Sequence, residues 1–178
     1  RSDKNTLLCQ VQTCLVNAMR EFCIKDNFVE IHTPKLIGAA SESGSDVFEV
    51  NYFGEKAYLA QSPQFYKQMA LASGFEKVFE IGPVFRAENS NSYRHTTEFT
   101  GFDIEISCIE SYEDIMEFEE DILVYALSAV KEKYGERIKE VFGVDVVVPS
   151  KPFPRIKLED LYKALEENYG FKISHQKI

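Results

Sequence analysis

Two strand-like runs separated by a polar linker constrain the fold of this 178-residue chain more than any other feature. They are KVFEIGPVFRAE, residues 77–88, and EFTGFDIEIS, residues 98–107. Successive side chains on a strand point to opposite faces, so alternation sorts each run into two sets. One set is apolar: Phe79, Ile81, Phe85, Ala87, Phe102, Ile104 and Ile106. The other set holds the charges: Glu80, Gly82, Val84, Arg86, Glu88, Phe99, Gly101, Asp103 and Glu105. The two runs therefore predict a hairpin with one apolar and one polar face.

Helices are predicted on both sides of these runs. Residues 5–26 carry apolar side chains at helical spacing. SPQFYKQMALASG has an N-cap candidate in Ser62, a proline in the first turn and a stop signal in Gly74. Ser111 with Asp114 forms a capping-box pattern that predicts a helix to about Tyr134.

The remaining segments add short strands and a last helix. NFVEIHTPKL predicts a strand, VFEVNYFGEKAYLAQ a hairpin that turns at Gly54-Glu55, VVVP a short strand, and PRIKLEDLYKALEENYG a helix. IGAASESGSD is predicted to be a loop. Strands joined by short turns, with helices at their flanks, indicate an α+β fold with an antiparallel sheet rather than a βαβ repeat.

Composition excludes several classes of function. A net charge of −9 is atypical of a protein whose whole surface binds nucleic acid. No apolar run has the length of a membrane span, and the start of the chain has no signal-peptide pattern. The four cysteines form no CxxC pair, so a structural zinc site is not indicated. We interpret the three in the predicted first helix, Cys9, Cys14 and Cys23, as small apolar residues, and a reduced, cytosolic compartment fits. The first residue is Arg, so we expect a piece of a longer chain.

The polar face of the hairpin is a candidate ligand site. A solvated face is the alternative for any single strand, but here two neighbouring strands and a linker with Arg94 and His95 share the same sorting. The planar fork of Arg86 suits a phosphate, and Phe99 offers a ring to a purine base. Gln64 and Lys67 lie three residues apart on one side of a predicted helix.

Each of the other candidates has a simpler alternative. Lys67 beside Gln64 could receive a carboxylate, and the alternative is an exposed lysine on a surface helix. Glu42, in the loop SESGSD, could meet an ammonium group or remain a solvated loop acid.

Taken together, three motifs resemble those of the class II aminoacyl-tRNA synthetases, specifically the aspartyl-tRNA synthetases of the archaeal and eukaryotic type. FVEIHTPKL resembles motif 1, with Pro34 as its dimer-interface proline. QSPQFYKQM resembles the aspartate-recognition helix, and VFEIGPVFRAENSNSYRHTTEFTGFDIE resembles motif 2. The resemblance covers nearly the whole chain and implies the class II antiparallel sheet flanked by helices.

The resemblance also implies roles for individual residues. Arg86 is the implied catalytic residue, bridging the α-phosphate of ATP and the substrate carboxylate. The implied ATP-binding residues are Arg86, Glu88, Arg94, His95 and Phe99. The implied aspartate-binding residues are Glu42, Gln64, Lys67, Arg86 and Asp103. The implied loop near the tRNA acceptor end consists of Asn89, Ser90, Asn91, Ser92 and Tyr93.

The implied reaction has two steps, in which L-aspartate and ATP form aspartyl-adenylate and tRNA(Asp) then accepts the aspartyl group at its 3′ end. Magnesium is expected with the nucleotide. No stretch resembles the family's motif 3 or its anticodon-binding domain, so we expect residues 1–178 to be a single domain, the N-terminal portion of a catalytic domain. The metal ligands are then expected outside this chain, and activity of this portion alone is not expected.

Three alternatives stay open at this stage. One is a synthetase-like paralogue that passes aspartyl-adenylate to ammonia and so makes asparagine. Another is a non-catalytic interaction module with the same fold, which is disfavoured because Arg86, Glu88, Arg94, His95 and Phe99 all stand at the positions that the resemblance implies for ATP binding. The third is an asparaginyl-tRNA synthetase, which Lys67 disfavours because a cation there suits the side-chain carboxylate of aspartate.

Overall fold

The computed structural model describes residues 2–40, 46–89, 92 and 95–171, and within them the chain forms four helices and six short or medium strands. The helices are α1 (Asp3–Lys25), α2 (Gln64–Ala72), α3 (Tyr112–Phe142) and α4 (Leu158–Tyr169). The strands are β1 (Val29–Glu30), β2 (Leu36–Ile37), β3 (Glu49–Tyr52), β4 (Glu55–Leu59), β5 (Lys77–Phe85) and β6 (Glu98–Ile106).

The strands form two three-stranded sheets, ordered β1-β5-β6 and β2-β4-β3. Every pair is antiparallel except β1 with β5, which is parallel. The predicted α+β fold is confirmed, and the parallel pair is the one departure from a purely antiparallel arrangement in the described part of the chain.

The predicted hairpin is β5–β6, paired from Lys77↔Ile106 to Phe85↔Glu98. Residues directly opposite each other in such a pair share a face. Glu80 faces Asp103, Gly82 faces Gly101 and Val84 faces Phe99, as alternation predicted.

The apolar face of the hairpin packs against α1 and α3. Phe79 is fully buried in a cluster with Cys23, Phe28 and Ile122. Burying a side chain of this size stabilises the fold by about 1.5–3 kcal/mol. A second cluster, built on Leu7, Val130 and Ile138, joins α1 to α3 further along the two helices. The sequence analysis interpreted the helical cysteines as small apolar residues. Cys23 is buried, as that interpretation requires, but Cys9 is exposed, so the interpretation was wrong for Cys9.

The starts of α2 and α3 follow the predicted signals, with one difference in α2. The Ser62 hydroxyl accepts a hydrogen bond from the Gln64 amide at 3.3 Å, but Pro63 occupies the N-cap position. The capping box of α3 is present, with Ser111 accepting from Glu113 and Asp114 accepting from the Ser111 amide at 3.2 Å.

The turn between β3 and β4 differs from the prediction by one residue. Tyr52 pairs with Glu55, so the turn residues are Phe53 and Gly54, not Gly54 and Glu55. Both have positive φ, 51° and 94°. A two-residue turn of this kind requires positive φ at both positions, and the preference of glycine for the second one does not fix which neighbour takes the first.

The helix α3 is longer than predicted, and the VVVP strand is absent. The helix runs past Gly135 to Phe142 because Ile138 is buried against α1, and this packing outweighs the cost of a glycine within a helix. Gly143, with φ of 71°, is the residue that ends it. The predicted strand VVVP is residues 146–149. Val146 packs against the same cluster, and the segment does not pair as a strand.

Backbone hydrogen bonds join the two sheets beside the polar face of the hairpin. The Ala60 amide donates to the Lys35 carbonyl at 2.9 Å, and the Phe85 amide donates to the Ala60 carbonyl at 3.0 Å. The Arg86 amide then donates to the Thr97 carbonyl at 2.9 Å. These bonds fix the backbone from which Arg86 projects.

No helix within the described ranges has the length and apolar character needed to cross a membrane.

Candidate active site

Lys67 lies buried at one end of the polar face, with only 3% of the residue exposed. It projects from α2, which packs across β5 and β6. Its ammonium group donates to the carbonyl of Ile104 at 3.0 Å and lies 3.3 Å from the carboxylates of both Asp103 and Glu105. The structure therefore excludes the alternative of a lysine exposed on a surface helix.

Gln64 joins the same group through Glu105. Its side-chain amide donates to Glu105 Oε2 at 3.4 Å, on the oxygen that also faces Lys67. Sequence reasoning placed Glu105 on the polar face but gave it no role. The signal was present, because Glu105 follows Asp103 at the two-residue spacing of one strand face.

This cluster carries an excess of negative charge. One ammonium group faces two carboxylates, and all three side chains are largely removed from water. A ligand with an ammonium group is favoured by the excess. A ligand carboxylate gains from Lys67 only if it replaces Asp103 or Glu105 as a partner.

Glu80 of β5 lies on the same polar face, and its carboxylate is buried. Its oxygens accept from the Thr33 amide at 2.8 Å, from the Thr33 hydroxyl at 2.7 Å and from Lys35 Nζ at 2.9 Å. Burial by itself raises the pKa of this carboxyl, but the hydrogen bonds from Thr33 and Lys35 outweigh burial, so its pKa lies below the usual value. Sequence reasoning missed this group because Thr33 and Lys35 come from a segment far away along the chain.

Arg86 and Phe99 form the opposite end of the polar face. The guanidinium carbon of Arg86 lies 5.6 Å from the centre of the Phe99 ring, in cation–π contact. Both residues are exposed. A purine that stacks on Phe99 must use the other face of the ring or displace the guanidinium group.

The linker between β5 and β6 is described only in part. Glu88 and Asn89 are exposed, and the Ser92 hydroxyl lies 3.0 Å from His95 Nδ1. The other linker candidates, Ser90, Asn91, Tyr93 and Arg94, lie outside the described residues. Glu42 also lies outside them, and Pro34, the predicted interface proline, is exposed.

The register places these groups in a defined order. From one end of the face to the other come the pairs Val84↔Phe99, Gly82↔Gly101, Glu80↔Asp103 and Val78↔Glu105. The four residues from Phe99 to Asp103 span about 14 Å, and Glu105 lies about 7 Å further along the strand. The aromatic–arginine end and the lysine–carboxylate end are therefore separated by a short glycine-lined floor, a spacing that suits one ligand with a base and phosphate at one end and a small polar group at the other.

Residues 1–177 match the family model described as tRNA synthetases class II (D, K and N). The chain belongs to this family, and the fold and resemblance predicted from its motifs are confirmed.

Among its relatives are enzymes for one amino acid in particular. The aspartate–tRNA(Asp/Asn) ligase of Aeropyrum pernix is 42% identical over 176 residues, which cover 98% of this chain and 40% of the relative. The cytoplasmic aspartate–tRNA ligase of Homo sapiens is 45% identical over 163 residues, covering 89% of this chain and 32% of the relative. The chain thus spans between a third and two-fifths of the length of these relatives.

Solved structures of related enzymes have the same fold. The asparaginyl-tRNA synthetase of Pyrococcus horikoshii, complexed with asparaginyl-adenylate, superposes with a TM-score of 0.90 at 34% identity, covering 98% of this chain and 40% of that one. The aspartyl-tRNA synthetase of Entamoeba histolytica superposes with a TM-score of 0.77 at 34% identity, covering 98% of this chain and 32% of that one.

Proposed function

We propose that the full-length protein carrying this chain is an aspartate–tRNA ligase. It would activate L-aspartate with ATP and transfer the aspartyl group to the 3′ end of tRNA(Asp). The observation that carries this proposal is the polar face of β5–β6, which bears Arg86 and Phe99 at one end and a buried lysine with two carboxylates at the other. The relatives indicate which amino acid is the substrate, because they include aspartate–tRNA ligases.

The proposed roles follow the order of groups along the face. Phe99 stacks against adenine, and Glu88, Arg94 and His95 hold the rest of the nucleotide. Glu42, Gln64, Lys67 and Asp103 surround aspartate. The linker Asn89, Ser90, Asn91, Ser92 and Tyr93 approaches the acceptor end of tRNA.

Catalysis in this proposal is by positioning and charge. An oxygen of the aspartate α-carboxylate attacks the α-phosphorus of ATP, the new P–O bond forms, and pyrophosphate leaves with the electrons of the bond that breaks. Arg86 stabilises the charge that develops on the phosphoryl oxygens. In the second step a hydroxyl of the terminal ribose of tRNA attacks the acyl carbon, and AMP leaves. No side chain of the protein forms a covalent bond.

Magnesium is expected with ATP. Across the described ranges, no group of three or more His, Cys, Asp or Glu side chains is placed to hold a metal ion. Because no stretch of the chain resembles motif 3, we propose that the metal ligands lie outside this chain, and we assign no step to the ion.

The choice between aspartate and asparagine depends on Lys67. An asparaginyl-tRNA synthetase is the second candidate, because a solved structure of one superposes closely on this chain. A side-chain carboxylate gains an ion pair with a lysine, whereas a neutral amide gains only a hydrogen bond. The gain requires aspartate to replace Asp103 or Glu105 beside Lys67, as the charge count above shows.

The setting of the enzyme is also a proposal. We place it in the cytosol, as a homodimer formed through the segment around Pro34, which is exposed here. Residues 1–178 would be the N-terminal portion of the catalytic domain, which fits the fraction of the relatives that they cover.

Aspartate-dependent ATP–pyrophosphate exchange tests the proposal. The full-length protein should exchange with aspartate and not with asparagine, and it should then form aspartyl-tRNA(Asp). Exchange without transfer to tRNA would point to the asparagine-forming paralogue, and exchange with asparagine alone to the asparaginyl enzyme. No exchange with either amino acid would support the non-catalytic module. This 178-residue chain by itself should show no exchange activity in the same assay.

A further inference from the structure

Gly82 lies in the middle of the polar face, where neither the backbone conformation nor a clash with the described residues requires glycine. Its φ is outside the left-handed region, so the backbone accepts any residue. A Cβ built on it would lie 3.4 Å from Glu80 Oε1 and from Lys35 Cε, which is ordinary van der Waals contact. Glycine weakens a strand interior, and where folding does not require it, it often marks a place where a ligand approaches the backbone.

The glycine opposite, Gly101, is different. A Cβ there would lie 3.0 Å from Val84 Cγ2 and 3.1 Å from Asp103 Oδ2. Both distances are tighter than side chains normally tolerate, so packing within the hairpin is enough to explain Gly101. Steric crowding among the described residues therefore explains glycine at position 101 but not at position 82.

The position of Gly82 along the face indicates which part of a ligand would lie next to it. Gly82 pairs with Gly101, between the pair Val84↔Phe99 and the pair Glu80↔Asp103. Each neighbouring pair on the face is about 7 Å away along the strands. Resting on the proposed function, the nucleotide lies toward Phe99 and the amino acid toward Asp103, so the group that joins them lies over Gly82.

We propose that Gly82 forms the floor under the acyl-phosphate junction of the aminoacyl-adenylate, and that its lack of a side chain determines how closely the α-carboxylate and the α-phosphate approach. A methyl group at this position leaves the amino-acid and base ends of the site intact. It lifts the junction, which exists only in the transition state and in the adenylate. Displacements of about 1 Å at a reacting centre can slow a reaction about a hundredfold.

The test compares Gly82→Ala with wild type in the full-length protein. We expect the thermal midpoint not to fall, because alanine fits the backbone and the contacts there. Dissociation constants for ATP alone and aspartate alone should change by less than about threefold, while kcat/KM for aspartate-dependent exchange falls at least about tenfold. Binding of a sulfamoyl analogue of aspartyl-adenylate should weaken by a similar factor. Gly135→Ala, on α3, is the matched control and should equal wild type in substrate binding and in exchange.

The result that would overturn the inference is an active wild type with an equally active Gly82→Ala variant. A uniform loss of ATP and aspartate binding would also overturn it, because that places the methyl group in a substrate pocket and not at the junction. A silent wild type would count instead against the proposed function.

A second measurement needs no variant to fold. In wild-type full-length protein labelled with 15N-glycine, the adenylate analogue should shift the Gly82 amide resonance more than ATP or aspartate does. The resonances of Gly135 and Gly143 should not move. An unmoved Gly82 resonance at saturating analogue contradicts the proposal.

Discussion

Glu80 and Asp103 lie directly opposite each other in the β5–β6 register, yet their carboxylates are neutralised by different lysines. Glu80 is bound by Lys35, which precedes β2, and Asp103 by Lys67 of α2. Like charges directly opposite on a sheet are destabilising. Each therefore depends on a cation brought by another element, and the acidic face of the hairpin is stable only when both elements are docked on it.

Replacing Lys67 by Met should destabilise the chain. The variant leaves Asp103 and Glu105 side by side without their shared cation. Because these carboxylates are partly exposed, at 31% and 22%, we expect a loss of about 1–3 kcal/mol, below that for a fully buried charge. Urea denaturation of the chain at neutral pH measures the loss. Lys56→Met is the matched control, because Lys56 pairs with Glu49 on the open surface and its removal should leave the midpoint nearly unchanged. Equal midpoints for the two variants would contradict the burial argument.

Adding Glu105→Gln to Lys67→Met separates stability from recognition. The double variant removes one of the two unpaired charges, so it should regain part of the lost stability. In the full-length protein it should still discriminate poorly between aspartate and asparagine, because the cation is gone. Retained preference for aspartate in ATP–pyrophosphate exchange would show that Lys67 is not the selector.

Arg86→Ala should abolish adenylate formation without unfolding the protein. Arg86 is exposed, and its contact is with the ring of Phe99, so little packing is lost. Removing a group that stabilises transition-state charge lowers the rate by about a hundredfold to a thousandfold. Exchange assays on the full-length variant, beside Arg137→Ala as an exposed arginine on α3, measure the effect. Unchanged ATP–pyrophosphate exchange would contradict the catalytic role assigned to Arg86.

Glu80 should make stability depend on acid pH. Its pKa is below the usual carboxyl value because the hydrogen bonds from Thr33 and Lys35 outweigh its burial. A carboxyl whose pKa is lowered by folding contributes stability above its unfolded pKa, and the contribution is lost as pH falls through the folded pKa. Glu80→Gln should therefore be less stable than wild type at neutral pH by about 1–3 kcal/mol, and the gap should shrink on acidification. A gap that stays constant from pH 7 to pH 3 would contradict this.

The four cysteines should differ in reactivity. Burial, followed by the charges of Asp26 and Glu30, raises the pKa of Cys23 to about 12, so its thiolate is scarce at pH 8. Cys9 and Cys108 are exposed. Mass spectrometry after brief labelling with a thiol reagent should find the label on the two exposed cysteines, with Cys23 labelled only after denaturation. Labelling of Cys23 at the rate of Cys9 would mean that α1 opens readily.

What the sequence by itself determined were the features that depend on local spacing. Alternation fixed which residues of β5 and β6 share a face, and the capping box fixed where α3 begins, because both signals lie within a few residues. Motif spacing likewise carried the family resemblance that the comparisons confirmed.

The tertiary structure decided whatever depends on partners distant in sequence. Only the docking of α2 shows that Lys67 is buried and shared between Asp103 and Glu105. Only the segment before β2 shows that Glu80 is bound by Thr33 and Lys35. The end of α3 and the missing strand at residues 146–149 follow the same principle. Ile138 and Val146 pack in the cluster with Leu7 of α1, and a contact of this kind cannot be predicted from the local propensity of the residues.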